Sequence, residues 1–197
     1  MTKAEQTRQF IIETTAPIFN KKGYENTSLS DVQEVTKLTK GAIYGNFSDK
    51  NELAVAAFQH NCIVAARRIK AAMESATSAK EALKSLAVMY AQNWNSVLER
   101  GGCPMLNASV EADDHLVFLR AEVRKTIKQF VKNLRILIEQ GQANNEFDKK
   151  ASASDIADSI FMIWEGGVLY SKIMNDAKYL SIAAERMNAI IDNELSK

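Results

Sequence analysis

The chain predicts an all-α protein, and three observations carry that expectation. Only two prolines and eight glycines interrupt 197 residues. Apolar residues recur at helical spacing over most of that length, and β-branched alternation is scarce. A hydrophobic content of 46% supports a sizeable core, while 25% charged residues argue against disorder. The length suits one large domain or a small one joined to a larger one. There is no internal repeat and no low-complexity stretch.

The first helix is expected from about Ala4 to Lys22, with Phe10, Ile11, Ala16, Ile18 and Phe19 on its apolar face. Lys21 and Lys22 suit the negative C-terminal end, and Gly23 suits a left-handed stop. Pro17 lies inside this helix; its missing N–H and ring clash cost about 3 kcal/mol in a regular interior, which predicts a kink. Tyr24 is expected to pack the following corner.

Next comes the stretch around which the chain is organised. Ser28 can cap a helix, with Asp31 meeting the positive helix end. Leu29, Val32 and Val35 follow at i, i+3 and i+6, a short one-sided helix. Leu38 fits the buried position of a tight turn, and Thr39 can cap a second short helix of Lys40, Gly41, Ala42, Ile43 and Tyr44. Two short helices joined by a few residues form a helix-turn-helix pattern. Gly41 and Ala42 would let the backbone approach base edges, and Lys40 and Tyr44 can reach phosphates or bases. Asn46 could read a base or merely cap a helix. Phe47 is expected to anchor the second helix from beneath.

Asp49 and Glu52 make a capping-box-like start for a fourth helix. It continues through Leu53, Ala56, Ala57, Val64 and Ala65 to about Met73. Lys50, beside that start, could meet a phosphate. No flexible linker follows, so the N-terminal part and the remainder should be mechanically coupled. Thr77 or Ser78 can cap a fifth helix running through Leu83, Leu86, Tyr90 and Trp94 to Leu98, ended by Arg100-Gly101-Gly102. A short segment from Cys103 reaches the acidic patch Glu111, Asp113 and Asp114. A long helix is expected from about Leu116 to Gln140, stopping at Gly141. Another, capped by Ser152 or Ser154, carries Ile156, Ile160, Ile163, Gly167 and Tyr170. A last helix holds Ile182, Met187, Ile190 and Ile191.

Lys22-Gly23-Tyr24, Thr27-Ser28, Lys40 to Tyr44, Phe47, Lys50 and Glu52-Leu53 together resemble the N-terminal domain of tetracycline-repressor (TetR) family regulators. The match runs from roughly Thr7 to Leu53, with several separated elements in the same order and spacing. Two departures stand out. Lys37 occupies a position where the family often has a turn glycine, so a positive φ there would be less comfortable. Gly45-Asn46 replaces a bulkier pair before the Phe. The resemblance implies a DNA-binding domain over residues 1–48 and an effector-binding and dimerisation domain over 49–197. It also implies a ligand-responsive regulator, most often a repressor released from a palindromic double-stranded DNA operator by a small apolar effector. DNA contacts are then expected from Thr27, Ser28, Thr39, Lys40, Gly41, Tyr44, Asn46 and Lys50.

Bulk charge is silent on nucleic acid, since 25 basic side chains face 24 acidic ones. Through Lys50 the balance is still nearly neutral, a weak electrostatic footprint that tempers non-specific affinity. Met1 leads into polar residues and no apolar run is long enough to span a bilayer, so a cytoplasmic protein without membrane contact is expected. Cys62 and Cys103 fit no disulfide framework or metal spacing. Glu111 and His115 are four apart and could share a metal, yet carboxylates there equally suit a solvated corner. Pro104-Met105-Leu106 favours burial of Cys103 over a role as an electrophile-sensing thiol. No catalytic constellation stands out and no cofactor is implied, so a non-enzyme is expected. The alternative is an all-helical small-molecule-binding protein or enzyme whose helix-turn-helix is incidental.

Rings and thioethers concentrate in the C-terminal part. Tyr90, Trp94, Phe118, Phe161 and Trp164 are the candidate lining of an effector pocket between the fourth helix and the helix beginning near Ser152. Glu165 or Asn93 would be its polar anchor. Ordinary bundle core is the competing reading for each ring. Homodimerisation, implied by the resemblance and permitted by periodicity, would use Ile156, Ser159, Ile160, Ile163, Gly167 and Tyr170 with Met187 and Ile191 of the last helix.

Overall fold

A computed structural model describes residues 1–114 and 116–196. They form ten helices and no strand: α1 (Lys3–Lys22), α2 (Leu29–Thr36), α3 (Lys40–Tyr44), α4 (Lys50–Met73), α5 (Ala79–Gln92), α6 (Trp94–Glu99), α7 (Pro104–Asp114), α8 (Val117–Ala143), α9 (Ala153–Met174) and α10 (Lys178–Asn193). The chain divides into two compact units. One comprises Met1–Ala65 with Arg100–Lys125, the other Ala66–Glu99 with Thr126–Lys197. The α4 and α8 helices each pass unbroken from one unit into the other.

In the first unit, α1 opens on a reciprocal capping box between Thr2 and Glu5 and closes at Gly23, whose φ of 101° only glycine adopts without strain. The helix runs through Pro17, which sits on its exposed side. Ile11, Ala16 and Phe19 are fully covered, as expected, but Phe10 is 47% exposed and does not belong to the inward face. Tyr24 packs the corner, its ring 5.8 Å from Phe19 and 6.1 Å from Phe58. Burial pushes its phenol well above the usual tyrosine range. The α4 start is capped by Asp49, which accepts from Glu52 N at 2.8 Å.

In the second unit, α10 packs on α9 and α5. Gly167 permits the close approach, since a Cβ there would lie 2.6 Å from Ala183 Cβ. Asp192 on α10 meets Lys80 and Lys84 of α5, each at 2.8 Å. The single helix expected from Ser78 to Leu98 is in fact two. Asn93 closes α5: its backbone N–H donates to Met89 O at 3.1 Å and Tyr90 O at 3.3 Å, and its side-chain amide donates to the same Met89 carbonyl at 2.8 Å. Ser152 caps α9, accepting from Asp155 N at 3.3 Å. No helix of the described residues is long and apolar enough to cross a membrane.

Candidate nucleic-acid interface

The helix-turn-helix is assembled from local bonds that the residue types dictate. Ser28 Oγ accepts from Asp31 N at 3.2 Å, while the Ser28 N–H donates back to Asp31 Oδ2 at 2.7 Å. Lys22 reaches the same carboxylate at 2.6 Å. Bonds from Lys22 and then from Ser28 hold the Asp31 carboxyl well below the usual range. Thr36 ends α2 by donating to Val32 O at 2.7 Å and accepting from Leu38 N at 3.3 Å. Lys37 makes the turn at φ 57°, the left-handed conformation that a glycine would adopt freely. Thr39 then caps α3, accepting from Ala42 N at 3.2 Å.

On α3 itself the faces separate cleanly. Ile43 is buried at 1% exposure and Phe47 follows at 2%. Lys40 and Gly41 are exposed, Tyr44 is half-buried, and the Lys40 ammonium stands 5.9 Å from the Tyr44 ring centroid. A Cβ at Gly41 would touch nothing within 4 Å, so the surface there is open to an approaching duplex. Ser28 and Thr39 are exposed, with their hydroxyls already committed as caps.

Three of the expected DNA contacts are engaged elsewhere. Thr27 is wholly buried, its hydroxyl donating to Gly23 O at 2.6 Å, so it belongs to the corner and not to the surface. Asn46 donates its side-chain amide to Ala42 O at 2.9 Å, the cap of its two readings. Lys50 Nζ donates to Glu25 O at 2.7 Å and Thr27 O at 3.1 Å. A residue missed in the sequence, Arg8, supports α3 from behind. It donates to Asn46 O, pairs with Glu52 at 2.7 Å and lies 4.1 Å over the Phe47 ring. Nothing beside Arg8 in the chain marks it out, because its three partners lie at positions 46, 47 and 52.

The ring-rich set behaves differently from residue to residue. In the second unit Tyr90 meets Trp164 edge-on at 4.8 Å, and Phe130 lies 5.4 Å from Trp164 and 5.5 Å from Phe161. These four rings, from α5, α8 and α9, form one cluster, to which Phe130 is the addition. Trp94 on α6 borders an open groove of about 380 Å³ lined by Ala91 to Ser96. Phe118 belongs to the other compact unit and is 37% exposed. Glu165 is half-buried beside Trp164, and Asn93 is spent on Met89.

The expected dimer seam also needs correction. Ile156, Ile160, Gly167, Met187 and Ile191 are buried within the chain itself, Gly167 against Ala183 of α10. Ser159 and Ile163 are half-buried, and Tyr170 alone of the set is well exposed, at 58%. The apolar side chains α9 leaves outside are Met162, Leu169, Tyr170, Ile173 and Met174, joined by Ile182 of α10. Gly166, one position from the expected glycine, is open: a Cβ there would meet nothing within 4 Å. Cys103 is buried. His115 lies outside the described residues, and the Glu111 carboxylate is bonded to the Tyr24 and Glu25 amides. No group of three or more metal-ligating side chains occurs among the described residues.

Known proteins share this architecture. Residues 11–57 match the family of bacterial regulatory proteins of the tetR type, and residues 79–187 match the tetracyclin repressor-like C-terminal domain. The HTH-type transcriptional repressor DhaR of Mycobacterium sp. (strain GP1) is 25% identical over 170 residues, covering 84% of this chain and 82% of that one. The HTH-type transcriptional regulator AcrR of Shigella flexneri is 37% identical over 51 residues, 26% of this chain and 24% of its own. Among solved structures, a TetR-family regulator from Cytophaga hutchinsonii superposes with a TM-score of 0.95 at 37% identity, covering 100% of this chain and 98% of that one. Another from Chloroflexus aurantiacus J-10-FL gives 0.90 at 30% identity, covering 100% and 99%. With an exposed, small-residue α3 held on a buried anchor and a second unit that is helical throughout, the chain belongs to the TetR family of ligand-responsive, DNA-binding transcription regulators.

Proposed function

We propose that the chain acts as a homodimeric repressor that leaves a palindromic operator when a small, largely apolar effector binds its second unit. The observation that carries the DNA-binding half is α3, which keeps Lys40 and Gly41 on an open surface while Ile43 and Phe47 fasten it from beneath. Direct readout needs that combination of close backbone approach and reachable cations. Residues 1–48 would serve as the DNA-reading module and 49–197 as the effector-binding and dimerisation part. DhaR, named as a repressor, supports the sign of regulation. Binding, not catalysis, is the activity, and the cytoplasm is its place.

The effector is assigned to the ring cluster of Tyr90, Phe130, Phe161 and Trp164, where flat and polarisable surfaces suit an apolar ligand. Dimerisation is assigned to the outer face of α9. Met162, Gly166, Leu169, Tyr170 and Ile173 recur there at three- and four-residue spacing, the stripe a partner helix needs. A gel shift on DNA upstream of the protein's own gene tests the reading. A retarded species that Lys40→Ala weakens supports it; failure to shift that DNA or any duplex from a random pool refutes it.

A further inference from the structure

The turn between α1 and α2, residues 23–27, is held from two sides by opposite charges. From α7, the Glu111 carboxylate accepts from Tyr24 N at 3.0 Å and from Glu25 N at 2.8 Å. From α4, the Lys50 ammonium donates to Glu25 O at 2.7 Å and Thr27 O at 3.1 Å. Anion on donors and cation on acceptors are the stronger class of hydrogen bond. Glu111 lies more than eighty positions along the chain from its partners, so this is a tertiary tie and not a local cap.

The segment that carries Glu111 is itself fastened to the end of α1. Asn20, 4% exposed, donates to Arg100 O at 2.6 Å and Gly102 O at 3.3 Å. Asn107 donates to Asn20 O and Oδ1, each at 3.1 Å, and to Gly101 O at 2.7 Å. Gly101 has φ 87°, and a Cβ there would stand 2.9 Å from Asn20 O. The Gly101-Gly102 turn is therefore an interface built for backbone contact. Residues 100–125 accordingly belong to the unit of the helix-turn-helix, although the chain reaches them from the other unit and returns to it.

We infer that Glu111 is the positioning residue through which α7 sets the entry of the helix-turn-helix, and that releasing its carboxylate weakens operator binding without unfolding the protein. The inference rests on the DNA-binding function proposed for the chain. It makes the Tyr24–Thr27 turn a joint with a lever on each side: α4, which continues into the second unit, and α7, whose neighbours in the chain do. A displacement of either lever alters where α2 begins, and α3 with it.

The test uses the full-length protein and a duplex recovered by the wild type from a random-sequence pool. Amide exchange at Tyr24 and Glu25 and affinity for that duplex are measured for wild type, Glu111→Ala and Glu111→Gln, well below the melting temperature of each. Glu111→Ala is expected to speed both amides and to weaken DNA binding about tenfold, as loss of charge-assisted bonds at one joint implies. Glu111→Gln keeps one acceptor oxygen and should lie between, a graded rescue that simple loss of packing would not produce. A wild type that recovers no duplex brings down the regulator reading and this inference together. A duplex held equally by wild type and Glu111→Ala, or weakened binding with unchanged exchange at both amides, sinks the inference alone.

Discussion

At the scale of single residues, the helix-turn-helix shows where side-chain choice and backbone demand disagree. Lys37 sits at φ 57°, a conformation that costs an L-residue about 1–2 kcal/mol and glycine almost nothing. Lys37→Gly should therefore raise the urea midpoint, with a gain of about 0.5–1 kcal/mol after the extra chain entropy of glycine is subtracted. A lower midpoint would mean that the lysine side chain does more for the fold than its backbone costs. Asp31 and Glu52 have depressed folded-state pKa values, Asp31 through Lys22 and Ser28 and Glu52 through Ser48 and Arg8. Their stabilisation is present above the ordinary carboxylate range and is lost as pH falls through the lowered values. Acid titration of the melting temperature should show that loss, and Asp31→Asn should flatten part of it. For DNA contact, Lys40→Ala should weaken operator binding, by about 1–3 kcal/mol where a base contact is lost. Lys50 is different, because its ammonium already bridges two carbonyls. Its removal should leave the slope of log affinity against log salt unchanged, whereas a lost phosphate contact flattens it by about 0.9.

At the scale of elements, α9 has a buried apolar face and an exposed one, and its adjacent glycines mark them. Gly167 faces α10, where a Cβ would lie 2.6 Å from Ala183 Cβ. Gly167→Val should destabilise the chain by about 1–3 kcal/mol through overpacking, read from chemical denaturation. Ile173, 75% exposed, should tolerate Ile173→Glu within the folded chain while the light-scattering mass falls to that of a monomer. An unchanged dimeric mass would move the interface away from this face. The periodicity of the α9 sequence predicts an amphipathic helix but not which of two apolar stripes meets a partner. Ile160 and Ile173 are equally hydrophobic as letters; one is fully buried within the chain and the other is 75% exposed.

At the scale of the whole molecule, regulation requires one equilibrium to be felt at two sites. The α4 helix is continuous from Lys50, bonded to the α1–α2 turn, to Met73 in the second unit, so a ligand there has a covalent path to the DNA-reading module. A genuine inducer must bind the DNA-incompetent state more tightly, and the coupling is reciprocal. Titrating a candidate effector with and without operator should give a ratio of affinities equal to the ratio by which effector weakens operator binding. A coupling of about 1–3 kcal/mol is the usual scale. A compound that binds the ring cluster with equal affinity in both titrations is a ligand but not an inducer.

Features settled within a few residues along the chain are legible in its letters. Helical periodicity, the caps at Ser28, Thr39 and Asp49, the stop at Gly23 and the order of Lys40-Gly41-Ala42-Ile43-Tyr44 are short-range, and the structure has each of them in place. Which polar side chains remain available for a partner is a different matter, settled only by folding. Thr27, Asn46 and Lys50 carry the right chemistry for DNA, yet each finds a backbone carbonyl first. Arg8 and Glu111 look ordinary in the string of letters because their partners lie 38 to 44 and 86 to 87 residues away. A polar group entering a packed interior must be bonded there. Which partner satisfies it depends on distances in space, and those exist only once the chain has folded.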